Sequence, residues 1–114
     1  MQADRRDQLE IEVQASEERT LVALSGDLDA ATAASLYDTL AELEIADAHH
    51  IVLDLAKVTF MDSTGLAVIV TEHKRLAHSG GSLTIFSPPS SVRRLFEITG
   101  LTSLLDIVPV NEEP

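Results

Sequence analysis

A chain of 114 residues suits one domain that buries about two-thirds of the surface its unfolded chain would expose, and is too short for two. Its 19 acidic residues against 8 Lys and Arg give a formal net charge of −11, which disfavours binding to a nucleic-acid phosphate backbone. The absence of cysteine excludes disulfides, thiolate zinc sites and a cysteine nucleophile, and no apolar run approaches the roughly 18 residues of a membrane span.

Residues 1–8 are charged with no apolar run behind them, so they read as a flexible tail, and a soluble cytoplasmic protein is expected. Residues 9–110 read as the domain and 111–114 as a second tail. Leu9, Ile11 and Val13 alternate with polar residues, Glu17-Glu18-Arg19 turns the chain, and Leu21-Val22-Ala23-Leu24 follows, which predicts an opening strand pair like a β-hairpin. Asp29 is placed to cap a helix in which Ala33, Leu36, Leu40 and Leu43 recur at helical spacing, ending near Ile45. Ile51 to Leu55 is a short apolar strand. Leu66 to Val70 then continues too far and too uniformly for another strand, predicting a helix buried all round in its first half and amphipathic in its second, stopped at Gly80-Gly81. Leu83 to Phe86 is the next strand. Val92, Leu95 and Phe96 mark the inner face of a third helix, and Asp106 to Val110 is a short edge strand because Pro109 cannot donate to a ladder. Strands alternating with helices after the first pair predict a single α/β domain with a mixed, largely parallel sheet.

Between Thr20 and Ala56 there is no Lys or Arg, while Asp27, Asp29, Asp38, Glu42, Glu44, Asp47 and Asp54 fall there. This acidic pole is either an ordinary solvated face or a surface that steers a basic partner. The basic pairs Arg5-Arg6, Lys74-Arg75 and Arg93-Arg94 lack interleaved aromatics that would stack bases.

The sharpest feature is Phe60-Met61-Asp62-Ser63-Thr64-Gly65-Leu66, where a strand gives way to a helix through capping residue types. Asp62, Ser63 or Thr64 must cap the helix. A helix N-terminus has free backbone N–H groups and a partial positive charge, so a phosphate on Ser63 would be held rather than expelled.

Other chemistries fit less well. A nucleophile elbow needs glycines two positions either side of the serine, but Met61 stands on one side, so a hydrolase is not expected and no catalytic residue is assigned. His49, His50, His73 and His78 lack metal-ligand spacing, so no metal or cofactor is expected. Ser79-Gly80-Gly81-Ser82 follows a helix and lacks a lysine, which argues against a phosphate cradle and a nucleotide-binding module. Asp54 on its strand could suggest a response-regulator receiver, but such a domain's first strand leads into a helix. Asp54 is instead expected to accept backbone N–H bonds near the Asp62 loop.

The Asp62-Ser63-Thr64-Gly65-Leu66 segment resembles the signature of the STAS domain family, specifically its stand-alone members, the anti-sigma factor antagonists. Leu24-Ser25-Gly26-Asp27-Leu28-Asp29 resembles the family's Gly-acid-Leu-Asp turn, and Val92 to Leu101 its late helix with the closing Gly-Leu, in family order across roughly residues 9 to 108. The resemblance implies a non-enzymatic antagonist that binds an anti-sigma factor serine kinase and frees a sigma factor. It implies Ser63 as phosphorylation site, a PP2C-type phosphatase acting on phospho-Ser63, and a partner surface comprising Asp27, Asp29, Asp62, Ser63, Thr64, Gly65 and Leu66. A non-enzymatic accessory subunit of a lipid-transporting ABC system, or part of a stress-sensing assembly, is the alternative. The resemblance also implies a C-terminal amphipathic helix where this chain has Asn111-Glu112-Glu113-Pro114, so apolar surface left uncovered would need the N-terminal segment or a second copy, making a homodimer an expectation to test.

Overall fold

Alternating apolar residues make β1 (Leu9–Ala15) and β2 (Thr20–Leu28) an antiparallel pair in which Leu9, Ile11 and Val13 stand opposite Gly26, Leu24 and Val22. The computed structural model describes residues 9–114, so the expected tail at 1–8 lies outside the described residues. Helix α1 (Ala33–Ile45) leads to β3 (His50–Met61), α2 (Ser63–His78) to β4 (Ser82–Phe86), and α3 (Ser90–Ile98) through a 3-10 turn at Leu101–Ser103 to β5 (Asp106–Val108). The sheet order is β1-β2-β3-β4-β5, with every pair after the first parallel.

This order decides where the helices go. Right-handed crossovers that always step to the next strand place all three helices on one face. On that face Val22, Leu24, Ile51, Leu53, Leu55, Leu83 and Ile85 are buried and join Leu36, Leu40, Leu66, Ile69, Val92 and Phe96 in one core. On the other, Leu21, Ala23, Asp54, Thr84 and Phe86 remain partly exposed. Residues 109–114 form turns and no helix. Glu112 N–H donates to the Pro109 carbonyl at 3.1 Å, and the Arg19 guanidinium donates to a main-chain oxygen of Pro114, tying this segment to the β1–β2 turn.

Four local expectations are corrected. The strand predicted over Ile51–Leu55 runs on to Met61, with register shifts against β2 between Ala23 and Ser25 and between Gly26 and Asp27 that keep exposed Lys57 paired with Ser25. Asp54 does not reach the Asp62 loop: its Oδ1 accepts the Ala56 amide at 3.0 Å, and it lines a cavity on the helix-free face with Glu10, Glu12 and Lys57. The first half of α2 is not buried all round, since Ala67 is exposed and Val68 and Val70 are half-buried, whereas Glu72 in its charged half is buried. α1 begins at Ala33 rather than directly after Asp29. α2 does stop at the predicted glycines: Gly80 takes φ +85°, and the Gly80 and Gly81 amides reach back to the Ala77 and Leu76 carbonyls, a Schellman ending.

Candidate functional site

The C-terminal ends of β2 and β3 lie side by side, with Leu28 opposite Met61, so the loops that follow them meet. Asp62 joins them. Its amide donates to the Leu28 carbonyl at 3.2 Å, its Oδ2 accepts the Ala30 amide at 3.3 Å, and its Oδ1 accepts the Thr64 and Gly65 amides at 2.9 and 3.1 Å. With φ −115° and ψ −173° it is extended, and its carbonyl accepts the first helical bond from Leu66 at 3.0 Å. Of the three residues able to cap α2, Asp62 therefore does so, satisfying the second and third amides of the helix.

Ser63 is the first residue of α2 and is exposed, and among the described residues its hydroxyl makes no hydrogen bond. It is held at the positive end of a helix without taking part in the capping. Thr64 is exposed beside it. Gly65 and Leu66 are buried and support the loop from beneath. A Cβ on Gly65 would stand 2.6 Å from Leu28 Cγ and 2.7 Å from the Leu28 carbonyl oxygen, closer than packing allows, so glycine lets the first turn of α2 settle onto the end of β2.

The two other aspartates are built into the facing loop. Asp27 Oδ1 accepts the Thr59 hydroxyl at 2.6 Å across the β2–β3 pair. Asp29 Oδ1 accepts the Ala31 and Thr32 amides at 2.9 and 3.2 Å, while its carbonyl accepts the Ala33 amide at 2.8 Å, so it caps the turn that leads into α1. Thr32, fully buried, closes this loop by donating to the Asp27 carbonyl at 2.7 Å and accepting the Asp29 amide at 3.0 Å. Thr32 and Thr59 are residues that sequence reasoning passed over. The Asp-x-x-Thr spacing at 29–32, a pattern that closes turns through side chains, is the signal that could have found the first.

The two facing loops thus carry the carboxylates of Asp27, Asp29 and Asp62, and the Ser63 hydroxyl follows directly on Asp62. Among the described residues no group of three or more His, Asp or Glu could hold a metal ion, and no helix is long and apolar enough to cross a membrane.

A mixed sheet opening with an antiparallel pair and an acid-capped helix start with an exposed serine define a small α/β module, and comparison with known proteins gives its family. The STAS domain family model matches residues 10–113. An anti-sigma-B factor antagonist of Listeria monocytogenes is 36% identical over 90 residues, covering 79% of this chain and 79% of the relative. One from Bacillus subtilis is 34% identical over 104 residues, covering 91% and 94%. The crystal structure of an anti-sigma factor antagonist from Mycobacterium paratuberculosis superposes with a TM-score of 0.82 at 23% identity, covering 90% of this chain and 87% of that one, and shares the fold. The chain belongs to the STAS domain family.

Proposed function

We propose that this protein is an anti-sigma factor antagonist working by partner switching in the cytoplasm. The observation that carries the reading is the unengaged Ser63 hydroxyl on the first residue of α2, beside the capping carboxylate of Asp62. In the unphosphorylated state the neutral hydroxyl and the acidic loops of Asp27, Asp29 and Asp62, with Thr64 alongside and Gly65 and Leu66 beneath, bind an anti-sigma factor and so free a sigma factor. The anti-sigma factor is also a serine kinase. Its transfer of the ATP γ-phosphoryl group forms a P–O bond to Ser63 Oγ and releases ADP and the hydroxyl proton. A PP2C-type phosphatase cleaves that P–O bond with water, releasing inorganic phosphate and restoring the Ser63 hydroxyl.

The switch is local electrostatics. Phosphate adds about −1.5 to −2 charges at pH 7. The positive end of the α2 dipole accommodates that charge within the fold, whereas a partner fitted to the hydroxyl meets a new dianion beside the Asp62 carboxylate. Incubation with ATP and the anti-sigma kinases of its own genome tests the reading. Mass spectrometry should place one phosphate on Ser63 and find none in Ser63→Ala, and phosphate only on Thr64 or elsewhere would sink it.

A further inference from the structure

Next to the acidic loops, the C-terminal end of β3 and helix α3 leave a groove of about 290 Å3. Buried Met61 and Val92 and half-buried Leu95 form its floor, and exposed Phe60, Ile98 and Arg94 stand around it. Phe60 is 50% and Ile98 72% exposed, two large apolar side chains left in water at one place. Such a cluster on a small, highly charged molecule marks a contact surface. The groove adjoins the acidic loops: Thr59, whose hydroxyl donates to Asp27, lines it, Phe60 stands opposite Asp27 in the sheet, and Met61 on its floor immediately precedes Asp62. Arg94 has no carboxylate partner among the described residues, unlike Arg75 and Arg93.

We propose that this groove is the second half of the anti-sigma factor contact, taking an amphipathic segment of that partner with an apolar side chain between Phe60 and Ile98 and a carboxylate against Arg94. This rests on the antagonist reading above and extends it, giving the interface an apolar anchor that the acidic loops lack. A second copy of the chain is the poorer occupant, because each copy carries a formal charge of −11 and the two repel.

Titration calorimetry against each anti-sigma factor encoded in its own genome, purified singly, tests the proposal with wild type, Phe60→Ser, Ile98→Ser, Arg94→Glu and Ser63→Asp. Ile45→Ser, which alters an 86% exposed residue at the far end of α1, is the control. Phe60→Ser and Ile98→Ser should weaken binding about tenfold or more, Arg94→Glu should weaken it too, and the control should match wild type. Should Phe60→Ser fold poorly in a thermal melt, Ile98→Ser, on the last residue of α3, carries the test. Wild-type affinity for both Ile98→Ser and Arg94→Glu, with Ser63→Asp weakened, would overturn the groove and leave the Ser63 switch standing. No binding by wild type to any anti-sigma factor would overturn both. Conversion of a dimer to a monomer by Ile98→Ser in sedimentation, with unchanged anti-sigma affinity, would give the groove to a second copy and overturn the proposal.

Discussion

At the scale of single residues, the site divides its labour between two neighbours: Asp62 holds the loop and Ser63 is left free. Asp62 caps α2 through Thr64 and Gly65 and ties it to Ala30, so Asp62→Ala removes a cap and an inter-loop bond together. We expect that change to lower stability by about 1–2 kcal/mol, and Asp62→Asn, which keeps an acceptor, to lower it much less. Ser63→Ala should leave the unfolding midpoint close to wild type, because its hydroxyl takes no part in the capping. Urea denaturation of the three variants checks this, and a Ser63→Ala loss as large as that of Asp62→Ala would return the cap to Ser63. Here the sequence narrowed the choice without making it. Asp, Ser and Thr in a row are all capping types, and only the extended backbone of Asp62 with its two amide bonds separates them.

At the scale of elements, α1 and α2 are fastened by a cluster whose pairing the sequence does not display. Glu72, 5% exposed on α2, receives the Arg75 guanidinium, and Arg75 also reaches Glu44 on α1 at 2.9 Å. Burial pushes the Glu72 carboxyl above its ordinary value of 4.5, against the opposing pull of the Arg75 hydrogen bond and charge. A carboxyl whose folded value is raised binds its proton more tightly in the native state. Its contribution is therefore fully present below pH 4.5 and is lost as pH rises through the raised value. The unfolding free energy of wild type minus that of Glu72→Gln should accordingly fall as pH is raised from 4.5 toward neutrality. Chemical denaturation across that range decides it, and a difference that rises with pH would contradict the burial argument. Arg75→Ala should cost about 1–3 kcal/mol at neutral pH, and less on acidification, because it leaves the buried carboxylate without its counter-charge. The order and type of the elements were legible from periodicity and turn residues, down to the glycine ending of α2, although the edge strand read as Asp106 to Val110 stops at Val108, before Pro109. What was not legible depends on partners distant in sequence. Glu72 reads as a surface residue until Arg75 and Glu44 surround it, the charged Lys57 hides the second half of β3, and Asp54 binds within its own strand rather than at the Asp62 loop.

At the scale of the whole molecule, the question is whether the acidic pole steers a partner or only keeps the protein soluble. Asp27 and Asp29 flank the Asp62 loop, but both also accept structural hydrogen bonds, so charge reversal would mix lost steering with a loosened loop. Asparagine separates the two effects. Asp29→Asn keeps an Oδ1 able to accept the Ala31 and Thr32 amides, and Asp27→Asn keeps an acceptor for the Thr59 hydroxyl, while each removes one negative charge. If the pole steers a basic partner, the double Asn variant should associate with the anti-sigma factor several-fold more slowly at low salt, with a shallower dependence of association rate on ionic strength. Its dissociation rate should change less, because long-range fields act chiefly on encounter. Stopped-flow association at low and at physiological ionic strength provides the measurement, with thermal melts showing that both loops are intact. Equal association rates for wild type and the double variant, with equal salt slopes, would confine these two charges to solubility and leave the contact to Ser63 and its immediate neighbours.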